Sequence, residues 1–356
     1  MSKYLNPRYG AMEAYVPGEQ PRDKNYIKLN TNESPFPPAP SVTAALDIHQ
    51  IRDLRLYSDP TVRVLREKLA RLYDKKPEEM FVANGSDDIL NFAFMAFGGD
   101  GAVFPDITYG FYRVFGELHG IPCREIPLKE DFSLTPEDYH NSGCMVVIAN
   151  PNAPTGMSIS LRDVEGIVQA NSDHVVVIDE AYVDFGGTSC HELTRRYDNL
   201  LVVHTFSKSR SLAGGRLGYA MGNPGLIEDL EKLKYSTNPY NVNRLTMYLG
   251  EKTVDADDYY RDCCREIIRV REETASRLKE LGFRVLPSQA NFLFARHPDL
   301  DGGRFYQALR ERGILVRHFS GERIRDYNRI TIGTARQMTR FLEAAGEILE
   351  EAYEKR

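Results

Sequence analysis

Five short apolar runs, each followed by a polar or glycine-rich turn, constrain the fold of this chain more than any other feature. They span residues 80–83, 102–104, 145–149, 175–179 and 200–205. Valine, isoleucine and leucine dominate, with almost no polar alternation. Strands buried on both faces read this way, and such strands belong to parallel sheets covered by crossover helices. Helical spacing fills the gaps, at residues 89–97, up to about 118, and at 161–170. The expected fold class is α/β, a mostly parallel sheet between helices. In open sheets of this kind ligands bind beyond the carboxyl ends of the strands. The polar turns at 84–87, 106–109, 150–156 and 207–209 fall there.

The rest of the chain reads differently. Residues 1–40 are rich in Pro, Asn, Tyr and Gly, and four prolines within 34–40 forbid a long helix, so an extended arm is expected. Residues 62–73 have helical spacing. A long charged helix is expected over 255–281. Short runs follow at 283–286, 291–296, 314–317 and 329–333, with helices near 303–312 and up to 356. The expected division is an arm (1–40), a large domain (41–250) and a smaller α+β domain (251–356).

Charge and cysteine usage narrow the function. Of the 356 residues, 45 are Lys or Arg and 51 Asp or Glu, a formal net charge of −6. A dedicated nucleic-acid binder is usually basic. No apolar run approaches the ~20 residues a bilayer requires, so no membrane role is expected. The N-terminus has no apolar segment of the secretory type. Five cysteines, with two adjacent and no CxxC spacing, argue against a disulfide framework or a metal site, and a reducing cytoplasm is expected.

Several residues after the strands are suited to chemistry. Lys208 follows the 200–205 run. Read alone, it is more commonly a solvated loop lysine than a desolvated amine able to form a Schiff base. Asp179 ends a buried run, where a carboxylate is costly unless paired. It is either a helix cap or the partner of a cationic ring nitrogen. Gly85-Ser86-Asp87 opens a helix whose unpaired N–H groups attract anions, and Ser207 and Arg216 lie where they would close the same cup. Tyr109 is a core tyrosine or a ring-stacking one. Arg317 and Arg329 lie at strand edges, in surface ion pairs or converging on a carboxylate or phosphate. Taken together, these groups compose a site for pyridoxal phosphate, with a lysine, an acid, an aromatic face and an anion cup.

The motifs and their order resemble the fold-type I pyridoxal-phosphate aminotransferases, and among them the histidinol-phosphate aminotransferase family. The resemblance runs through nearly the whole chain. It rests on Tyr15-Val16-Pro17-Gly18, Asn30-Thr31-Asn32-Glu33-Ser34-Pro35, Tyr57-Ser58-Asp59-Pro60, Asn84-Gly85-Ser86-Asp87, Asp179-Glu180-Ala181-Tyr182, Ser207-Lys208, Arg216-Leu217-Gly218-Tyr219 and Arg329-Ile330-Thr331-Ile332-Gly333-Thr334.

The resemblance implies a transaminase that uses pyridoxal 5′-phosphate. It would move an amino group between glutamate (giving 2-oxoglutarate) and imidazole acetol phosphate, making L-histidinol phosphate for histidine biosynthesis. Lys208 would hold the cofactor covalently, Asp179 would pair with its ring nitrogen, and Tyr182 would bond its phenolic oxygen. Tyr109 would stack on the ring. Ser86, Asp87, Thr205, Ser207 and Arg216 would surround the phosphate, with Tyr57 arriving from the second subunit of a homodimer. Tyr15, Asn32, Arg317 and Arg329 would hold the substrate. The chain departs from the family at Ala153, where asparagine usually precedes Pro-Thr-Gly. Either Asn152 takes that asparagine's role or Tyr182 bears it alone. Gly215 is a second departure, standing where a larger apolar residue is usual.

Two other activities share this scaffold. One is an aromatic or broad-specificity aminotransferase. The other is a threonine-phosphate decarboxylase, whose N-terminal segment usually lacks the Asn-Glu-Ser-Pro pattern present here.

Overall fold

The computed structural model describes residues 2–10, 12, 18–21 and 23–354. The chain begins with β1 (Ile27–Lys28), α1 (Pro40–Thr43), α2 (Ile48–Arg52) and α3 (Arg63–Leu72). Then come β2 (Met80–Ala83), α4 (Ser86–Phe97), β3 (Ala102–Pro105), α5 (Phe111–His119), β4 (Cys123–Ile126), β5 (Met145–Ala149) and α6 (Leu161–Ala170). They are followed by β6 (Val176–Asp179), β7 (Leu200–Thr205), β8 (Gly218–Gly222), α7 (Pro224–Thr237), α8 (Arg244–Asp255) and α9 (Asp257–Glu280). The last part holds β9 (Arg284–Val285), β10 (Phe292–Arg296), α10 (Gly302–Glu311), β11 (Ile314–Leu315), β12 (Arg317–His318), β13 (Asn328–Thr331) and α11 (Ala335–Glu354).

All five apolar runs are strands of one seven-stranded sheet, ordered β2-β8-β7-β6-β5-β3-β4. β8 is antiparallel to both of its neighbours, and the other pairings are parallel. Successive residues of each strand enter opposite cores. Val146, Ile148, Val176, Ile178, Leu200 and Val202 pack on one face, with α3 and α6. Val147, Val177, Leu201 and Val203 pack on the other, with α4 and α5. Both faces are dry, which is why the runs show no polar alternation.

The second unit is built on a four-stranded antiparallel sheet, β12-β13-β10-β9. The run at 314–317 splits at Val316. Ile314 and Leu315 pair in parallel with Ile27 and Lys28, whereas Arg317 and His318 pair with β13. Part of the N-terminal arm is thus tied to the C-terminal unit, and Leu29 is buried in its core. The long charged helix is α9, directly preceded by α8.

Candidate active site

β6 and β7 are parallel neighbours with Asp179 opposite Val203, so their carboxyl ends open on one edge. The turns after β2, β3, β5, β6 and β7 meet there around a cavity of about 450 Å3. Its lining includes Ser86, Asp87, Tyr109, Ala153, Asp179, Tyr182, Thr205, Ser207, Lys208 and Arg216. Thr31 and Glu33 of the arm complete the wall. An adjoining cavity of about 340 Å3 shares Tyr109, Ala153, Tyr182 and Lys208, and reaches Asn32, Arg317, Phe319 and Arg329.

Asp179 is 5% exposed. Burial pushes its carboxyl up to about 6, against the pull of two donors: the Tyr112 hydroxyl (2.8 Å, to Oδ2) and the Ala181 N–H (3.2 Å, to Oδ1). A carboxylate that costly to ionise is stabilised by a cation in the same cavity. A protonated ring nitrogen meets that need.

The anion end is built at the start of α4. Gly85 caps this helix with no side chain to satisfy the first N–H groups, which leaves them, and the positive end of the helix dipole, for a ligand. Gly85 has φ +90°, and a Cβ there would lie 2.8 Å from Arg216 Nη2. A Cβ on Gly218 would lie 2.5 Å from Ser86 N. Gly85 is therefore required by its backbone conformation and Gly218 by close approach of the backbone. Arg216 Nη2 donates to Asp87 Oδ2 (2.9 Å), and the Tyr109 hydroxyl donates to Asp87 Oδ1 (2.6 Å). The Asp87 carboxylate is spent on orienting these two groups, which leaves its backbone N–H to face an anion. One cavity thus gathers a buried acid, an amine and a helix start flanked by a guanidinium that suits an anion. A phosphorylated pyridine aldehyde fits this arrangement.

Lys208 Nζ donates to Thr31 O at 3.4 Å and lies 5.7 Å from the centre of the Tyr182 ring. Thr205 Oγ1 donates to Ser207 Oγ at 3.0 Å. Arg317 and Arg329 are cross-strand partners on β12 and β13, and both guanidinium groups lie 5.7 Å from the Phe319 ring. Two guanidinium groups at facing strand positions on one cavity can grip a single anion.

Not every expected residue reaches the cavity. Asn152 Nδ2 donates to Ile107 O (2.9 Å) and Thr155 Oγ1 (3.0 Å), and its Oδ1 accepts from Thr108 Oγ1 (2.8 Å). Its side chain lines a separate cavity of about 250 Å3. Asn32 lines only the adjoining cavity; it donates to the Tyr182 hydroxyl (2.9 Å) and accepts from Thr331 Oγ1 (2.9 Å). Tyr57 is 79% exposed and stacks on Tyr240, away from the cavity. Tyr15 lies outside the described residues. Sequence reasoning missed Tyr112, although its place three residues after Tyr109 puts both on one side of the turn into α5. A larger cavity of about 570 Å3 lies between α3, α9 and residues 191–192. Its charges answer one another, Arg210 pairing with Asp257 and Ser209 with Asp184.

Residues 24–344 match the family described as aminotransferase class I and II. A histidinol-phosphate aminotransferase from Brachyspira hyodysenteriae is 48% identical over 353 residues, covering 98% of this chain and 100% of the relative. One from Clostridium acetobutylicum is 46% identical, again over 98% of this chain and 100% of the relative. The solved structure of the Sinorhizobium meliloti histidinol-phosphate aminotransferase in complex with pyridoxal-5′-phosphate superposes with TM-score 0.87, covering 99% of both chains at 23% identity. An aromatic aminotransferase from Pyrococcus horikoshii superposes with TM-score 0.80, covering 92% of this chain and 96% of that one, also at 23% identity. The likeness to these two structures concerns the fold, which does not discriminate between their substrates.

Proposed function

This chain belongs to the histidinol-phosphate aminotransferase family of the class I and II aminotransferases, and from that premise we infer how its site works. The protein is a pyridoxal-phosphate-dependent transaminase of histidine biosynthesis. It exchanges an amino group between glutamate and imidazole acetol phosphate. The observation that carries the reading is the buried Asp179 carboxylate sharing one cavity with the Lys208 amine and the Arg216 cup.

When bound, pyridoxal phosphate supplies an electron-withdrawing ring that stabilises negative charge at the substrate Cα. The protein's own groups do the rest. Asp179 would keep the ring nitrogen protonated. Ser86, Asp87 (through its N–H), Ser207 and Arg216 would hold the phosphate. Tyr109 would cover the ring, and Tyr182 would donate to the phenolic oxygen. Lys208 Nζ would hold the cofactor, and its amine would be the base that takes the proton from the substrate Cα. Arg317 and Arg329 grip the substrate's anionic end. An α-carboxylate and a phosphate monoester are alternate ligands for this pair, as a two-stage transfer requires.

The active unit in this reading is a homodimer. Leu46, Ile48, Ile51, Leu54 and Leu56 are each 43–55% exposed, and Tyr57 directly follows them. Such a strip suits a second copy of the same chain, which would bring Tyr57 to the partner's phosphate cup. Among the described residues no helix is long and apolar enough to cross a membrane. The five cysteines are free thiols, in keeping with a cytoplasmic location.

The deciding experiment reduces the cofactor-loaded protein with borohydride and maps the labelled peptide, which should contain Lys208. The loaded protein is then given glutamate, and the loss of its visible absorption band is followed. Imidazole acetol phosphate should restore the band fastest. Restoration by phenylpyruvate alone would make it an aromatic aminotransferase, and carbon dioxide release from threonine phosphate would make it a decarboxylase.

A further inference from the structure

Ala153 presents only a methyl group to the cavity, and Asn152 beside it spends its amide on Ile107 O, Thr155 Oγ1 and Thr108 Oγ1. The Tyr182 hydroxyl faces the same cavity. The Tyr182 ring is fixed edge-on against Phe292, with centroids 5.1 Å apart.

A phenol has one hydrogen and accepts through its lone pairs. Asn32 Nδ2 donates to the Tyr182 oxygen at 2.9 Å. An amide nitrogen does not accept, so the tyrosine's own hydrogen points elsewhere, and the cavity is the direction left to it. The Asn32 amide is held in this orientation. Thr331 Oγ1 accepts from the Asn32 N–H at 3.0 Å and donates to Asn32 Oδ1 at 2.9 Å. Asn291 Nδ2 donates to the Asn32 carbonyl at 2.9 Å. Asn32 has φ +57°, in the left-handed region that asparagine tolerates better than most residues. It is 1% exposed, so these bonds are not exchanged with water.

We propose that Asn32 is a positioning residue that makes the Tyr182 hydroxyl a one-way hydrogen-bond donor to the phenolic oxygen of the bound cofactor. The proposal rests on the reading that pyridoxal phosphate occupies this cavity. It gives Asn32 the job of preparing the cofactor rather than of touching the substrate. Lys208, Asp179, Tyr109, Glu33, Asp87, Arg216, Arg317 and Arg329 also face the two cavities around Tyr182, and they set the field in which its donation acts. Thr331 lies two residues from Arg329 on β13, and Arg329 Nη2 donates to Asn30 O at 3.0 Å. The strand that carries a substrate-anchoring arginine therefore also orients the donor to the cofactor.

The test is a pH titration of the visible absorption band of the cofactor-loaded protein. A donor to the phenolic oxygen favours its ionised form and so holds the midpoint down. Tyr182→Phe should raise the midpoint by about one pH unit, a roughly tenfold lower proton concentration. Asn32→Ala should raise it by a smaller step. Asn32→Asp, which accepts where asparagine donates, should match Tyr182→Phe. The Asn32→Ala/Tyr182→Phe double variant should add nothing to Tyr182→Phe. Thr331→Val, which releases the Asn32 amide without altering it, should shift the midpoint in the same direction and is available if the Asn32 variants do not fold. Wild-type midpoints in Asn32→Asp and Thr331→Val, beside a shifted Tyr182→Phe, overturn the positioning role and leave the cofactor reading standing. A wild-type protein that develops no visible band with pyridoxal phosphate overturns both.

Discussion

The Tyr112 hydroxyl, on α5, donates to Asp179 Oδ2 at 2.8 Å, joining a helix to the end of the central strand β6. Both groups are buried, and Tyr112 is held well above the ordinary tyrosine range by burial and by the neighbouring carboxylate. It therefore stays a donor at every working pH. Tyr112→Phe removes one of the two bonds that ease ionisation of Asp179. Hydrogen bonds to charged groups contribute about 1.5–3 kcal/mol, so cofactor affinity should fall by roughly tenfold or more in a direct titration. Unchanged affinity would mean that the Ala181 N–H is sufficient by itself.

Asp179 also gives the cofactor-free protein a pH signature. Burial raises its carboxyl from the ordinary 3.8 to about 6. A folded value above the unfolded one means that the folded state binds more protons between those two pH values. Its contribution to stability is therefore present at low pH and is lost as pH rises through about 6. The full loss is about 3 kcal/mol. Asp179→Asn lacks this titration. The melting temperature of the wild type, taken relative to that variant, should fall between pH 4 and pH 6 without cofactor. With cofactor bound the relative fall should vanish, because the ring cation supports the ionised form. A constant difference across that window would show that Asp179 titrates normally.

Gly85 separates a steric requirement from a general one. Alanine there meets both φ +90° and an Arg216 nitrogen 2.8 Å from its Cβ. The backbone strain costs about 1–3 kcal/mol, and the displaced guanidinium loosens the phosphate cup. Gly85→Ala should lower thermal stability and weaken cofactor binding by roughly tenfold. Gly99→Ala is the control, since nothing lies within 4 Å of a Cβ at that position. Equal effects of the two substitutions would remove Gly85 from the cup.

The sequence displayed the parts of the fold that are buried on both faces. Val176–Asp179 and Leu200–Thr205 are dry on each side, so their composition alone marks them as strands. β4 escaped notice because it is an edge strand whose Cys123 and Arg124 face solvent. β8 escaped because it begins and ends with glycine, and Gly218 is there to clear Ser86 N, a demand from outside the strand. The split at Val316 was hidden because pairing partners, not composition, decide which sheet a short run joins. In the site, Lys208 and Asp179 were legible because they follow or end a strand at the ligand-binding edge, and Arg216 because it stands just before β8 in the Arg-Leu-Gly-Tyr motif. The bond from Tyr112 to Asp179 depends on how α5 is rotated against the sheet. The turning of Asn152 away from the cavity depends on Ile107 and Thr108, the latter 44 residues away in sequence. Neither is written in local spacing.

The apolar strip at residues 46–56 makes the assembly testable. Ile48 and Ile51 lie on α2 and are 54% and 55% exposed. If a second copy covers them, an aspartate at either position places a charge in a dry interface. Ile51→Asp should shift the sedimentation profile from dimer towards monomer, and the monomer should bind cofactor less tightly for lack of the partner's Tyr57. A wild-type protein that sediments as a monomer would leave Tyr57 with no route to the cup.

Arg317 and Arg329 are the sharpest probe of substrate handling, because they face each other across β12 and β13 at the adjoining cavity. Arg317→Gln removes a charge-assisted bond to the substrate's anion, worth about 1.5–3 kcal/mol, so kcat/KM should fall by one to two orders of magnitude. Arg329→Ala should fall further, since its guanidinium also holds Asn30 O. Both losses should appear with glutamate and with histidinol phosphate alike when each half-reaction is followed by the cofactor's absorbance. A loss confined to one substrate would mean that the carboxylate and the phosphate are gripped at different places, and that the arginine pair serves only one of them.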